Sequence, residues 1–379
     1  MKIVAAIDSF KGSMTSAEAG EAARRGVLRA MEDARVTVLP VADGGEGTVQ
    51  ALVTGLGGSF RTVRVTGPLG SPVRARYGIL PDGRTALVEM AAAAGITLVP
   101  GNALDPRRAT TFGVGQMILH AIRAGCREFI IGIGGSATTE GGIGMLAALG
   151  WEFFDESGAS LPPTFDSLDK IARIDGSRAP GELADCRFRI ACDVTNPLCG
   201  SRGAVAVFGP QKGVRPEEIA TMDAAMARYA ATAEAFSGRS CAEVPGAGAA
   251  GGLGFAFLNF FPNAELRSGV DLVLEAVGLE EVLEDADVVI TGEGRLDGQT
   301  AMGKVPAGVA RLAKRHGCLV LAFAGGIAGD ADACCETGID AFFPILRGVT
   351  TLEEAMRPET ARRNMELAVE QVFRLLKRR

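Results

Sequence analysis

The sequence predicts an α/β protein in which a parallel-sheet domain, built from both ends of the chain, is interrupted by a second, mixed α/β domain. Strands alternate with helices near the start and again near the end, whereas closely spaced strands fill part of the middle. The 379 residues also exceed the size at which one hydrophobic core usually stops growing. We therefore place the first domain at 1–57 and 279–379 and the inserted domain at 58–278, with the active-site cleft between them.

The first domain is predicted from five short apolar runs. "KIVAAID" and "RVTVLP" open the chain, and "ADVVI", "CLVLAFAGG" and "DAFFPI" return near its end. Thr15 and Glu18 form a T-x-x-E capping box before a helix, and further helices are expected near Val49 to Leu56 and from about Lys304 to His316. A strand–helix alternation of this kind predicts a parallel sheet covered by helices on both faces.

The inserted domain is predicted from a different pattern. "FRTVRVTGPLG", "VRARYGIL" and "RTALVEM" follow one another closely, the last two joined at "PDGR", which favours antiparallel hairpins. Helices near Phe112 to Ala124 and Pro216 to Ala235 then alternate with the strands "EFIIGIG" and "FRIACDV". Hairpins followed by such an alternation indicate a mixed sheet.

Composition excludes several classes of function. The net charge is −6 and no dense basic block precedes the terminal "KRR", so we expect no nucleic-acid partner. Eight cysteines without a C-x-x-C pair and two distant histidines give no zinc-type spacing. Five apolar residues before Asp8 are too few for a signal-peptide core, and the glycine-rich run from Val244 to Ala264 is not apolar enough to span lipid. We expect a cytoplasmic protein that acts without a membrane.

Glycine-rich segments with charges of both signs follow the predicted strands. In the first domain these segments supply Asp8, Lys11, Asp43, Glu46, Glu293, Arg295 and Asp297. Because the carboxyl ends of parallel strands share one edge of a sheet, we expect these side chains to gather there. Glycines let amides approach phosphate oxygens, basic side chains offset their charge, and carboxylates bind magnesium. This pattern is typical of phosphoryl transfer.

The segment "TGEGRLDGQTAMGK" is interpreted as a loop that meets a charged ligand. Its glycines argue against a helix, and its unpaired charges argue against burial in a core. Gly298 to Lys304 matches G-x-x-x-x-G-K, but Val305 stands where a P-loop needs Ser or Thr.

Other interpretations of these motifs stay open. "GIGGSA" fits the dinucleotide pattern G-x-G-x-x-A, so an NAD-dependent oxidoreductase of a small hydroxy acid is the alternative function, although "TTEGGIG" would interrupt the helix it needs. A non-catalytic nucleotide sensor is a further alternative. Asp8, Asp43 and Asp193 could be turn formers or helix caps, and Glu46 and Glu140 could cap the helices that follow them.

The ordered series "DSFKGS", "VADGGEGT", "GIGGSATTEGG", "CDVTNPLCG", "FGPQKG", "PGAGAAGGLG" and "GEGRLDGQT" resembles the bacterial type of the glycerate kinase family. The resemblance implies a flavodoxin-like domain interrupted by a second α/β domain. It also implies magnesium-dependent transfer of the γ-phosphate of ATP to D-glycerate, giving 2-phosphoglycerate and ADP. Ile7 stands where the family often has proline, and Thr139 and Glu140 replace a commoner Asn–Asp pair. The second departure leaves open whether Glu140 is a ligand or a cap.

Roles are assigned to individual residues from their positions in these segments. We expect Lys11 and Arg295 to bind anionic groups and Asp193 to be the catalytic base, with Asp297 as the competing choice for the base. The other predicted site residues are Gly134, Gly135, Ser136, Gly292, Gly294 and Lys304 for the cofactor, Ser9, Asp43, Thr195 and Asn196 for the substrate, and Glu293 and Asp297 for magnesium.

Overall fold

The structure is a computed structural model that describes residues 1–45 and 47–378, so Glu46, considered above as a helix cap, lies outside the described residues. The chain divides into two compact units. The first unit comprises Met1–Asp43, Gln50–Leu56 and Val270–Arg379, and the second comprises Gly44–Val49 and Gly57–Gly269. The limits at 57 and 278 given above stay predictions of where independent domains end.

The secondary structure alternates along most of the chain. The strands are β1 (Lys2–Ala5), β2 (Arg35–Val38), β3 (Ser59–Thr66), β4 (Pro72–Ile79), β5 (Thr85–Glu89), β6 (Glu128–Gly132), β7 (Glu152–Phe154), β8 (Arg173–Asp175), β9 (Arg187–Ala191), β10 (Ala264–Arg267), β11 (Val288–Leu296), β12 (Leu319–Ile327) and β13 (Ala341–Pro344). The helices are α1 (Ser16–Ala30), α2 (Thr48–Leu56), α3 (Ala91–Ala94), α4 (Phe112–Arg123), α5 (Ile143–Ala148), α6 (Ala204–Phe208), α7 (Ile219–Ser237), α8 (Ala249–Phe260), α9 (Gly269–Ala276), α10 (Leu279–Leu283), α11 (Gly298–Ala301), α12 (Val305–Arg315), α13 (Leu352–Met356) and α14 (Pro358–Leu376). Within the described residues, every helix is too short or too polar to cross a membrane.

The first unit is built on a parallel sheet of order β13-β12-β11-β1-β2. Numbered within this sheet alone, the order is 2-1-3-4-5, which is that of flavodoxin-like folds. The α/β prediction is therefore confirmed. In such sheets successive strands are added first on one side and then on the other side of the first strand. The strand order therefore reverses between the first and third strands, here β1 and β11, and ligands bind beyond the carboxyl ends of the strands at that point.

Helix α1 fixes the loop that leaves β1. The predicted capping box is present: the Glu18 amide donates to the Thr15 hydroxyl at 3.2 Å, and the Thr15 amide donates to the Glu18 carboxylate at 2.9 Å. On its other face, α1 packs closely on α14 at Gly26, which has no side chain. A Cβ at this position would lie only 2.4 Å from the Glu366 carbonyl oxygen, so a larger residue would not fit. The end of the β1–α1 loop that leads into α1 is thus fixed.

The second unit contains a mixed sheet of order β10-β9-β6-β5-β4-β3. Strands β5, β6, β9 and β10 run parallel, and β3 and β4 pair antiparallel with each other and with β5, as the hairpin pattern predicts. A separate antiparallel pair joins β7 to β8. Aromatic rings from neighbouring strands stack in the core, including Phe129 and Phe188 at 4.9 Å between centroids. The mixed-sheet prediction is confirmed.

The interpretation of "TGEGRLDGQTAMGK" as a loop is wrong. Strand β11 continues to Leu296, which pairs with Ile327 of β12, although its pairing with β1 ends at Ile290. Gly292 allows the backbones of β11 and β12 to lie close together. A Cβ at this position would lie only 2.0 Å from the Phe323 carbonyl oxygen of β12. Ladder hydrogen bonds to β12 satisfy the backbone and outweigh the cost of glycine in a strand. Helix α11 then begins directly after Asp297.

Candidate active site

A cavity of about 530 Å³ lies in the first unit, at the carboxyl ends of the strands of the parallel sheet. We call it the carboxyl-edge cavity. Its position agrees with the strand order, which places ligands beyond the ends of β1 and β11. Predicted site residues that line it are Ser9, Lys11, Asp43, Glu293, Gly294, Arg295, Asp297 and Lys304.

Asp8, to which no site role was assigned from the sequence, also lines this cavity. Its amide donates to the Gly292 carbonyl at 2.9 Å, which holds it against β11, and its Oδ1 accepts from the Ser9 amide at 2.6 Å. Only 9% of the residue is exposed. Burial raises the pKa of Asp8 to about 7, and the charges of Asp43 and Glu293 add to that rise. A carboxyl group with this pKa can accept a proton near neutral pH.

Glu293 and Asp297 form an acidic wall whose positions are fixed by Thr300. The Thr300 hydroxyl donates to Glu293 Oε1 at 2.5 Å, and its amide donates to Asp297 Oδ1 at 3.2 Å. Asp297 also accepts from the Gln299 amide, so it caps α11. Burial raises the pKa of Glu293 above its ordinary value, while Lys304 opposes the rise. The acidic wall therefore places two carboxylates side by side, although burial disfavours the negative charge on Glu293.

The acidic wall matches one way in which enzymes bind magnesium. Within residues 1–45 and 47–378, no three His, Cys, Asp or Glu side chains come close enough to hold a metal by themselves. Magnesium in phosphoryl-transfer sites is usually bound by one or two carboxylates together with substrate phosphates and water. Glu293 and Asp297 fit this arrangement, because a cation would offset the charge that burial disfavours on Glu293. Their assignment as metal ligands stays a prediction.

Three basic side chains lie around the same cavity. The Lys304 ammonium is 3.8 Å from Asp297 Oδ1, and the Arg295 Nε is 3.9 Å from Asp297 Oδ2. These contacts are longer than good hydrogen bonds, and the Arg295 side chain is 72% exposed. Lys11 is exposed as well. All three can therefore reorient towards an anionic ligand. Gly292, predicted as a cofactor contact, packs on Phe323 and is not among the residues that line the cavity.

The predicted catalytic base, Asp193, lies in the second unit, just after β9. Its Oδ1 accepts from the Gly269 amide at 3.0 Å, at the start of α9. That contact satisfies one of the amides that an α-helix leaves unpaired at its N-terminus. Nearby, the Asn196 side chain donates to the Arg202 carbonyl at 2.7 Å, and Thr195 is exposed. Asp193 has a structural contact as a helix cap, and its catalytic role stays a prediction.

The turn after β6 contains the predicted residues Gly134, Gly135 and Ser136. The two glycines are exposed, whereas Ser136 is buried and accepts from the Lys212 ammonium at 2.7 Å. Lys212 also donates to the Thr138 carbonyl at 2.6 Å. This lysine, quoted above only within "FGPQKG", is 2% exposed. The glycine turn is therefore supported by a buried lysine that the sequence did not assign to it.

Glu140 lies near the same lysine and is fully buried. Its Oε1 accepts from the Thr111 amide at 2.6 Å and from the Thr111 hydroxyl at 2.5 Å, immediately before α4. Burial lowers the pKa of Lys212 to about 7, and the charge of Glu140 opposes this. Glu140 thus accepts from the start of α4, a helix remote from it in sequence, and the Gly142 and Gly144 amides beside α5, the helix that follows it, oppose the rise that burial causes in its pKa.

The dinucleotide interpretation of "GIGGSA" lacks the helix it needs. After the turn at Gly134 and Gly135 the chain runs through Thr138 to Glu140 without helix, and α5 begins only at Ile143. A dinucleotide fold places its pyrophosphate on a helix that starts within the glycine motif itself. The oxidoreductase alternative is not favoured.

Comparison with known proteins identifies the family. A sequence model described as the glycerate kinase family matches residues 3–377. The chain belongs to the glycerate kinase family. It is 48% identical to a glycerate kinase of Bacillus subtilis (strain 168) over 94% of the chain and 93% of that relative. It is 46% identical to glycerate 2-kinase of Escherichia coli (strain K12), with the same coverage of both chains.

A solved structure of the glycerate kinase family supports the same conclusion. The crystal structure of a Salmonella typhimurium LT2 protein assigned as glycerate kinase 2 superposes with a TM-score of 0.91 at 44% identity, covering 100% of the chain and 98% of that protein. Family membership confirms the resemblance drawn from the order of the glycine-rich motifs. The chain is therefore an enzyme, a kinase that acts on a small molecule.

Proposed function

We propose that the protein is a cytoplasmic kinase that transfers the γ-phosphate of ATP to D-glycerate with magnesium, giving 2-phosphoglycerate and ADP. The carboxyl-edge cavity supports this proposal most directly, because it combines a buried carboxyl group of pKa about 7 with an acidic wall and three basic side chains. Phosphoryl transfer needs positioning, charge stabilisation and a proton acceptor. Membership of the family, and the glycerate 2-kinase among its relatives, supports the substrate and the position phosphorylated.

Asp8 is proposed as the proton acceptor for the attacking hydroxyl, with Asp193, and Asp297 as its competing choice, as the alternatives given by the sequence. Asp8 stands at the end of β1, next to β11, where the strand order places a ligand. Its raised pKa makes it a stronger base than an exposed aspartate. Ser9 and Asp43, which line the same cavity, are proposed to orient the substrate.

The remaining groups are proposed to manage the charge of the phosphates. Glu293 and Asp297 would hold magnesium, which supplies positive charge to the phosphate oxygens when it is bound. Lys11, Arg295 and Lys304 would contact phosphate or carboxylate oxygens directly. Gly294 presents its backbone to the cavity without a side chain in the way.

The proposed reaction is tested by its product. Purified protein with MgATP and D-glycerate is expected to release ADP, and enolase added to the same mixture should convert the product into phosphoenolpyruvate without a mutase. Only 2-phosphoglycerate is a direct substrate for that coupling enzyme. ADP release without phosphoenolpyruvate would contradict the position of phosphorylation. Reduction of NAD by a hydroxy acid, without any ADP, would restore the oxidoreductase alternative.

The proposed anion contacts are tested by removing each basic side chain. Lys11→Ala and Arg295→Ala are each expected to cost on the order of 1.5 to 3 kcal/mol of transition-state binding, or roughly 10- to 150-fold in kcat/KM. Arg315→Ala is the matched control, because Arg315 is an exposed arginine of the first unit outside the cavity. Wild-type kinetics in Lys11→Ala and Arg295→Ala would show that these side chains are merely solvated.

A further inference from the structure

Helix α13 exposes an apolar face to the carboxyl-edge cavity. Leu352, Ala355 and Met356 stand at positions i, i+3 and i+4, so they share one side of the helix, and all three line the cavity. None of the residues of α13 is buried, and Leu352 is 76% exposed. Ligand pockets are lined predominantly by apolar side chains, so this face can contact an apolar part of a ligand in the cavity.

This apolar face is held in place rather than frayed. The Thr351 hydroxyl caps α13 by accepting from the Glu354 amide at 3.2 Å, and Arg357 pairs with Glu354 at 2.8 Å beyond the helix end. Met356 also reaches the β1–α1 loop, because a Cβ on Gly12 would lie 3.0 Å from its Cε atom. The apolar face is therefore adjacent to the loop that carries Lys11.

Glycerate cannot account for this face of the cavity. Each of its three carbons carries a hydroxyl or a carboxylate, so the molecule has almost no apolar surface to offer Leu352 or Met356. The volume of about 530 Å³ is within the range of pockets that enclose much larger ligands. Ile345 and Leu346, which follow β13, extend the apolar wall. The cavity thus combines charged side chains with an apolar wall that glycerate does not need.

We propose that the apolar face of α13, with Ile345 and Leu346, binds the nucleobase of the nucleoside triphosphate, whose phosphates extend towards Lys11 and Lys304. A nucleobase is flat and poorly hydrated on its faces, and it is covalently joined to the phosphates that the basic side chains of the same cavity attract. This inference rests on the proposed function and deepens it, because it assigns the nucleotide to the first unit.

The test measures the contribution of the nucleobase to binding separately from that of the phosphates. MgADP and magnesium pyrophosphate are titrated by calorimetry into the wild-type protein and into Leu352→Ala and Met356→Ala. Each variant is expected to bind MgADP roughly tenfold more weakly, because it loses apolar contact with the base, and to bind magnesium pyrophosphate as the wild type does. In steady-state assays the KM for ATP should rise roughly tenfold while the KM for D-glycerate stays unchanged. Leu375→Ala, an exposed leucine of α14 outside the cavity, is the matched control.

Three results would overturn the inference. Wild-type MgADP affinity in both variants would mean that the face does not contact the base. An equal loss of pyrophosphate affinity would mean that α13 supports the phosphate site instead, and a change of sedimentation coefficient in Leu352→Ala would mean that the face contacts another copy of the chain. Failure of the proposed function is distinguishable from all of these, because the wild-type protein itself would then neither bind MgADP nor release ADP with D-glycerate.

Discussion

Asp8→Asn is expected to lower kcat by at least about a hundredfold at pH 8 while leaving the fold and the affinity for MgADP nearly intact. The amide has the size of the carboxyl group and can still accept from the Ser9 amide, but it cannot take a proton from the attacking hydroxyl. A positioned general base typically contributes about 10² to 10⁴ in rate. Steady-state kinetics, with circular dichroism as the folding control, measures the effect.

The pH dependence of the wild-type enzyme gives a second measurement of the same group. Burial raises the pKa of Asp8 to about 7, so its carboxyl group is protonated below that pH and cannot act as a base. We expect kcat/KM to rise with pH up to about 7 and then to level off, and Asp8→Asn should lose this dependence. Between pH 3.8 and about 7, the Asp8 carboxyl group holds its proton in the folded state but loses it in the unfolded state. The contribution of this group to the free energy of unfolding therefore falls as pH rises towards 7.

Asp193→Asn distinguishes Asp8 from Asp193 as the catalytic base. The Gly269 amide can still donate to the side-chain oxygen of asparagine, so the cap on α9 is kept. If Asp8 is the base, Asp193→Asn should stay within about tenfold of the wild-type kcat. A hundredfold loss in Asp193→Asn with near wild-type turnover in Asp8→Asn would reverse the assignment and restore the base expected from the sequence.

Lys212→Met is expected to lower the free energy of unfolding by about 3 to 5 kcal/mol at pH 7. The change removes the donor to the Ser136 hydroxyl and the Thr138 carbonyl, and it leaves Glu140 buried without a neighbouring cation. Chemical denaturation measures the loss. Lys170→Met, an exposed lysine of the same unit, is the matched control and should stay within about 0.5 kcal/mol of the wild type.

The sign of the pH dependence identifies the burial of Lys212 as the cause. Burial lowers its pKa from 10.5 to about 7, so between these values the unfolded chain binds a proton that the folded chain does not. The stability of the wild type relative to Lys212→Met should therefore increase as pH rises from 7 towards 10. A difference that is independent of pH, or a loss below 1 kcal/mol, would show that the ammonium is solvated in solution.

The sequence predicts the parallel sheet and most of the cavity wall for a simple physical reason. Strands of a parallel sheet end at one edge, so charged residues that follow successive strands, such as Lys11 and Asp43, must gather there. The order of motifs also identifies the family. These conclusions need only the alternation along the chain and not the packing of side chains.

What the sequence does not predict depends on burial and on contacts between distant segments. The raised pKa of Asp8 requires burial and the neighbouring charges of Asp43 and Glu293, which the strand order brings together. The support of Ser136 by Lys212 joins positions 76 residues apart. The extension of β11 is hidden because glycine content is a local signal, whereas the pairing with β12 that decides the outcome is not local.

The extension of β11 also determines how much freedom the site loses when a ligand binds. Glu293 and Arg295 belong to a strand that pairs with β12 as far as Ile327, so their backbones are already ordered. Had these residues been in a flexible loop, ordering the loop on ligand binding would cost about 1 to 2 kcal/mol of conformational entropy for each residue that becomes fixed. Because the paired strand has lost that entropy during folding, more of the interaction energy at this wall remains to stabilise whatever is bound there. A preorganised wall thus strengthens the binding of substrate and transition state alike, so it raises kcat/KM without an ordering step.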